Sequence, residues 1–174
     1  MRYFLVDKTV FDNNKVGMYG KLIYAILCKF LNADGTCFPS RKTISKCGNF
    51  SISTYNKYVS VMLLENVLEK KIRVRKNGSQ TSNLFKLKKN KENSFPVRSD
   101  IFSKGLSSTA VCVYICLARH IAEDNCCRVS QHLIAEKCSI SISSVIRAVK
   151  ELKSANMLET IKQTNINNNG NYVL

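Results

Sequence analysis

The chain has 174 residues, 45% of them hydrophobic, which fits one large or two small folded domains and excludes a disordered chain. Lys and Arg number 27 against 12 Asp and Glu, a formal net charge of +15, which points to a polyanionic partner. Met1 to Asp7 reaches an acid after the four apolar residues Tyr3 to Val6, so no secretory leader is expected. No apolar run approaches the roughly 20 residues of a spanning helix. A cytoplasmic location is therefore expected. There the thiols of Cys28, Cys37, Cys47, Cys112, Cys116, Cys126, Cys127 and Cys138 stay reduced. Cys112-x-x-x-Cys116 and the vicinal Cys126-Cys127 match the paired ligand units of zinc sites poorly, so buried, metal-free thiols are expected.

In chain order, residues 18–31 set Leu22, Ile23, Ile26, Leu27, Phe30 and Leu31 at helical spacing. Asn32-Ala33-Asp34-Gly35 closes that helix. Ser40 reads as the N-cap of a short second helix over 41–47, and Gly48-Asn49 as the turn after it. Ser51 caps a third helix, with Tyr55, Tyr58 or Val59, and Met62 facing inward. The period then changes. Residues 71–75 alternate like a half-exposed strand, which would point Arg73 and Arg75 the same way. Asn77-Gly78 signals a hairpin turn, and 83–87 returns as the partner strand. Residues 86–96, polar, charged and ending at Pro96, read as a linker. Beyond it come helices over 107–122, after Ser130 and after Ser141. Strands follow at 157–162 and 171–174, with a turn at 165–170.

The chain resembles itself. At an offset of 90, Ser40 to Ile44 faces Ser130 to Ile134, and Ser51-Ile52-Ser53 faces Ser141-Ile142-Ser143. At the same offset Lys57 faces Arg147, Asn66 faces Asn156, Tyr24 faces Tyr114 and Lys29 faces Arg119. Val10-Phe11 matches Ile101-Phe102 at an offset of 91. So long a period indicates two copies of one small domain, 1–90 and 91–174, and not a solenoid. Residues 1–90 hold 17 Lys/Arg and 5 Asp/Glu, a net of +12, and residues 91–174 hold 10 and 7, a net of +3.

Two helices joined by a tight turn follow helix-turn-helix logic, in which the second enters the major groove of double-stranded DNA. The exposed positions would be Ile52, Ser53, Asn56, Lys57 and Ser60 in copy one, and Ile142, Ser143, Ile146, Arg147 and Lys150 in copy two. Asn pairs bidentately with adenine, and Arg or Lys with guanine. Residues 70–89 hold eight Lys/Arg and no acid, a hairpin suited to phosphates or the minor groove. Candidate contacts in copy one are Ser40, Arg41, Lys42, Ser51, Ser53, Thr54, Asn56, Lys57, Arg73, Arg75, Lys76, Asn77 and Gln80. In copy two they are Ser130, Gln131, His132, Ser141, Ser143, Ser144, Arg147 and Lys150.

Asp34-Gly35-Thr36-Cys37-Phe38-Pro39-Ser40, Ser51-x-x-Thr54 and Asn77-Gly78-x-x-Thr81-Ser82-Asn83-x-Phe85-x-Leu87 occur in that order. Over residues 20–88 the chain thereby resembles the winged helix-turn-helix domain of bacterial and plasmid replication-initiation proteins and related regulators. Copy two has Val129-Ser130 in place of Pro39-Ser40 and lacks the Thr-Ser-Asn run. The resemblance implies a mainly α fold with small β-hairpin wings, present in tandem. It also implies a plasmid or mobile-element protein that initiates or assists replication or regulates transcription. A homodimer, or a replication or transfer protein, would be its further partner.

Other classes fare worse. The two histidines, His120 and His132, come with no phosphate-binding glycine loop and no nucleophile elbow, so neither an enzyme nor a cofactor is expected. RNA reading lacks an aromatic stacking platform, and membrane binding lacks a basic amphipathic helix. Copy two as a protein-interaction or dimerisation module stays open, because Ile142 and Ile146 are apolar for a groove-reading face. Elemental analysis of the purified protein is expected to find no stoichiometric zinc; one zinc per chain would overturn the reading of the thiols.

Overall fold

The computed structural model describes residues 2–87, 92–122, 126–161 and 169–174, and for 161 and 169–171 only the backbone. The chain opens with strand β1 (Tyr3–Asp7), helix α1 (Lys8–Asp12), a 3₁₀ turn over Asn14–Val16 and helix α2 (Gly17–Lys29). Strand β2 (Thr36–Cys37), helices α3 (Arg41–Gly48) and α4 (Ile52–Leu64), and strands β3 (Leu68–Lys71) and β4 (Leu84–Leu87) follow. The second half runs through β5 (Ser94–Arg98), a 3₁₀ turn over Ser99–Ser103, α5 (Ser108–Arg119), β6 (Cys126–Ser130), α6 (Gln131–Cys138), α7 (Ile142–Ser154), β7 (Glu159–Ile161) and β8 (Asn169–Val173).

Helices α2 and α5 are buried almost all round, from Gly20 to Cys28 and from Ala110 to Ala118. A helix apolar on every side belongs at the centre of a protein, and these two pack against each other there. Strands β1 and β5 pair antiparallel across the two halves, Phe4 opposite Val97, Leu5 opposite Pro96 and Val6 opposite Phe95. The buried side chains of both halves consequently form one continuous cluster.

This corrects the linker reading of 86–96. Residues 94–98 are a strand with Phe95 and Val97 buried and Pro96 exposed between them, the period of two that a strand requires. Pro96 is tolerated because a two-stranded sheet consists of edges, where a missing N–H costs no ladder bond. Of the rest of that segment, Lys86 and Leu87 end β4, Glu92 and Asn93 form a turn, and residues 88–91, with Lys88 and Lys89, lie outside the described residues.

Each half also holds a three-stranded sheet, ordered β2-β4-β3 and β6-β8-β7. Strands β2 and β6 were not anticipated. Two or five residues ahead of a capping serine give little periodic signal, and pairing with the hairpin decides their state. The predicted strand over 71–75 is also displaced. β3 starts at Leu68 and ends at Lys71, paired with Leu84, and the ladder resumes only as a bridge between Val74 and Gln80. Two residues, 72 and 73, thus oppose three, 81–83, and that extra residue breaks the strand as a bulge does. Ile72 and Val74 end 68% and 60% exposed, because the hairpin reaches past the helices that would cover them. The turn predicted at 165–170 lies outside the described residues as far as 168, and so does Lys162; Asn169 and Gly170 begin β8.

Polar groups also cross between the halves. Lys21 is fully buried and its ammonium donates to the Lys137 carbonyl at 2.5 Å. Burial pushes the Lys21 pKa down, against the opposing influence of the Cys112, Cys138 and Cys116 thiols. Arg119 makes two 2.8 Å bonds to the Asp12 carboxylate, and Lys137 adds one at 3.1 Å. Burial alone would raise the Asp12 carboxyl, but these bonds and charges outweigh it and hold its pKa below the usual value.

Two outcomes are expected. Phe95→Ala should lower the stability of the whole chain by about 3–5 kcal/mol in urea unfolding, with one transition and no surviving half. A depressed carboxyl pKa stabilises above its unfolded value and loses that contribution as pH falls through the folded one. Asp12→Asn should therefore lower the melting temperature near neutrality and flatten the loss of stability below about pH 4. An unchanged acid limb would show that the cluster does not couple to folding.

Candidate nucleic-acid interface

Helices α3 and α4 are joined by the turn Asn49-Phe50-Ser51. Asn49 adopts the left-handed conformation, φ 53°, and the Phe50 N–H donates back to the Ser45 carbonyl at 3.1 Å. That is the six-to-one bond of a Schellman stop, and asparagine is the usual stand-in for glycine there. Ser51 then accepts the Thr54 N–H at 3.0 Å and starts α4. Ser40 does the same for α3 through Thr43, also at 3.0 Å. Tyr55, Val59 and Met62 fix the inner face of α4, which leaves Ile52, Ser53, Asn56, Lys57 and Ser60 exposed as predicted.

Between the start of α3, the exposed face of α4 and the hairpin lies an open groove of about 910 Å³. Its lining contributes the cations Arg41, Lys42, Lys70 and Arg75, and the polar groups of Ser40, Asn56, Ser60, Gln80, Thr81, Ser82 and Asn83. No carboxylate lines it among the described residues. Tyr55 and Val59 form part of its wall, and the Tyr55 hydroxyl bonds to the Asn83 side chain, which ties the hairpin to α4. Burial raises the Tyr55 pKa, so the hydroxyl stays neutral.

Of the predicted contacts, the groove unites Ser40, Arg41, Lys42, Asn56, Arg75 and Gln80. Ser51, Ser53, Thr54, Lys57, Arg73, Lys76 and Asn77 lie outside its lining. Arg75 lines the groove, and the Arg73 guanidinium stacks on Phe38, 4.8 Å from the ring centre. Lys57 leans over the Tyr58 ring at 5.6 Å. Asn77 accepts from the backbone and side chain of Ser79 at 3.1 and 2.7 Å and so shapes the hairpin tip. Lys70, Ile72, Thr81, Ser82 and Asn83 line the groove but are not among the candidate contacts, although Lys70 counts toward the basic hairpin. The Thr-Ser-Asn run was visible as a family mark, but its position facing α4 was not.

In the second half, Ser130 accepts the Leu133 N–H at 3.1 Å and Ser141 the Ser144 N–H at 3.3 Å. The turn between α6 and α7 repeats the geometry, with Ser139 at φ 56° and the Ile140 N–H bonded to the Ala135 carbonyl at 3.0 Å. Ile142, Ser143, Ile146, Arg147 and Lys150 are exposed, and Arg147 donates to the half-buried Ser144 at 3.3 Å. His132 is exposed on α6, whereas Gln131 is half-buried and bonds to the Tyr172 hydroxyl. His120 meets the Cys116 carbonyl at 2.8 Å and takes no part in this surface.

Residues 104–158 match a family model described as a helix-turn-helix domain, and the matched span covers α5, β6, α6 and α7 and ends just before β7. The match thus falls on the half with the weaker sequence motifs, while the resemblance over residues 20–88 lies on the other. A search of the curated proteins gives no match. Among the described residues no helix is long and apolar enough to cross a membrane.

Capping and contact separate by substitution. Ser51→Ala should cost about 1 kcal/mol in urea unfolding, whereas exposed Ser53→Ala should stay within about 0.5 kcal/mol. Equal effects would reject the division of roles.

Proposed function

We propose that the protein is a sequence-specific binder of double-stranded DNA, not an enzyme, built from two winged helix-turn-helix domains over 1–90 and 91–174. The observation that carries this reading is the acid-free groove with four cations between α3, α4 and the hairpin. Arg41 and Lys42, at the start of α3, hold backbone phosphates, where the helix N-terminus adds its own attraction. Asn56 and Lys57 on α4 read base edges in the major groove. Arg75 and Lys76 run along the backbone or into the minor groove, and exposed Ile72 and Val74 give the hairpin an apolar surface for sugar edges. In the second half Arg147 and Lys150 take the corresponding roles. The resemblance over residues 20–88 supports a replication initiator, accessory factor or transcriptional regulator of a plasmid or mobile element.

A second reading keeps DNA binding in the first half and makes α7 a docking face for protein or a second chain. Ile142 and Ile146, 36% and 40% exposed, favour it.

Because the halves share a core, the test uses the full chain. Random duplexes are selected with the parent, with Asn56→Ala/Lys57→Ala, and with Arg147→Ala/Lys150→Ala. Each double variant should blur a different part of a two-part consensus. If the second pair leaves the consensus intact, α7 docks protein; if no duplex is enriched, the DNA reading falls. Arg73→Ala/Arg75→Ala/Lys76→Ala should reduce the salt slope of binding by about 0.9 for each phosphate that is no longer neutralised, and an unchanged slope would remove the hairpin from the interface.

A further inference from the structure

We infer that the two halves are related by a pseudo-twofold axis, and that the DNA target is therefore an inverted, not a direct, arrangement of two half-sites. A twofold interface is isologous: where residue i meets j of the other half, the counterpart of j meets the counterpart of i. Aligning β1 with β5 puts Phe4 with Phe95 and Val6 with Val97. The observed pairs are Phe4 with Val97 and Val6 with Phe95, one pair exchanged, around a central Leu5–Pro96 pair.

Contacts outside the strands obey the same exchange. At the same offset Phe11 corresponds to Phe102, and the ring contacts are Phe4–Phe102 at 5.9 Å and Phe11–Phe95 at 5.8 Å. Lys29 and Arg119 correspond, and each crosses to the other half. Lys29 lies 5.1 Å from the centre of the Phe102 ring, and Arg119 pairs with Asp12 beside Phe11. Helix α2 packs on its own counterpart α5, α1 packs on α6, and α3 packs on the 3₁₀ turn over Ser99–Ser103. A direct, head-to-tail arrangement would bring unlike surfaces together and produce none of these exchanges.

The inference rests on the DNA-binding reading above. Local dyads of B-form DNA lie perpendicular to its axis, and a twofold protein that engages one duplex with both halves aligns its axis with one of them. Helices α4 and α7 then enter the major groove in opposite senses. The inversion is hidden in the parent, because the two helices present different residues and read different half-sites.

Three substitutions expose it. Ile52 and Ser53 already match Ile142 and Ser143, so Ile146→Asn/Arg147→Lys/Lys150→Ser gives α7 the exposed face of α4. All three sites are exposed, and an unchanged urea midpoint confirms the fold. Random duplexes selected with this full-length variant should converge on an inverted repeat. Reversing one half of the recovered site in a synthetic duplex, at the same spacing, should weaken binding on the order of tenfold or more. Convergence on a direct repeat or a single half-site, or indifference to the reversal, overturns the inference and leaves DNA binding standing. Failure to enrich any duplex, with parent and variant alike, overturns both.

Discussion

The packing of α2 against α5, with β1 laid antiparallel on β5, is the constraint on which the rest of the molecule depends. Neither helix has a polar face to offer water over its central turns, so neither half can be covered without the other. Each central helix also carries its own half, α4 against α2 and α7 against α5. One apolar interface thereby fixes both the stability of the chain and the relative placement of its two outward helices.

Outside that interface the architecture rests on short polar devices. Five helices, α3, α4, α5, α6 and α7, start from a serine that accepts a backbone N–H three residues on. Four stops pass through a left-handed residue other than glycine, at Asn49, Asn66, Ser139 and Asn156. Asn49 and Ser139 lie between the two helices of each pair, and Asn66 and Asn156 lie between the second helix and the strand that follows it. At Ser40, Ser51, Ser130 and Ser141 the hydroxyl accepts a backbone N–H, which gives each a structural part at its helix start.

The sequence made α2 to α7 legible because apolar spacing and turn residues agree with the capping serines Ser40, Ser51, Ser130 and Ser141, whereas the short α1 carries no such signal. The exposed faces of α4 and α7 followed from that phase. What stayed hidden depends on partners distant in sequence. Phe95 looks like part of a charged connector, and Val97 falls in no element, until β1 lies beside them, although the shared pattern Phe-x-Val in Phe4–Val6 and Phe95–Val97 was there to be read. The break in the hairpin ladder after Lys71 escaped because it depends on one extra residue on the opposite strand. The groove escaped because its far wall, Thr81 to Asn83, meets α4 only through the fold.

The pairing of β1 with β5 also has a consequence for synthesis. Strand β1 is made well before its partner, which begins at Ser94, and before the helix that covers α2, which ends at Arg119. Until both are made the first half must hold an uncovered apolar surface, and closing so long a loop is slow compared with forming the local helices. A nascent chain stalled between those points would present that surface to other nascent chains, and a free β1 edge could pair with the β5 of a neighbour instead of its own. Low temperature or the presence of chaperones should therefore favour expression of the folded chain.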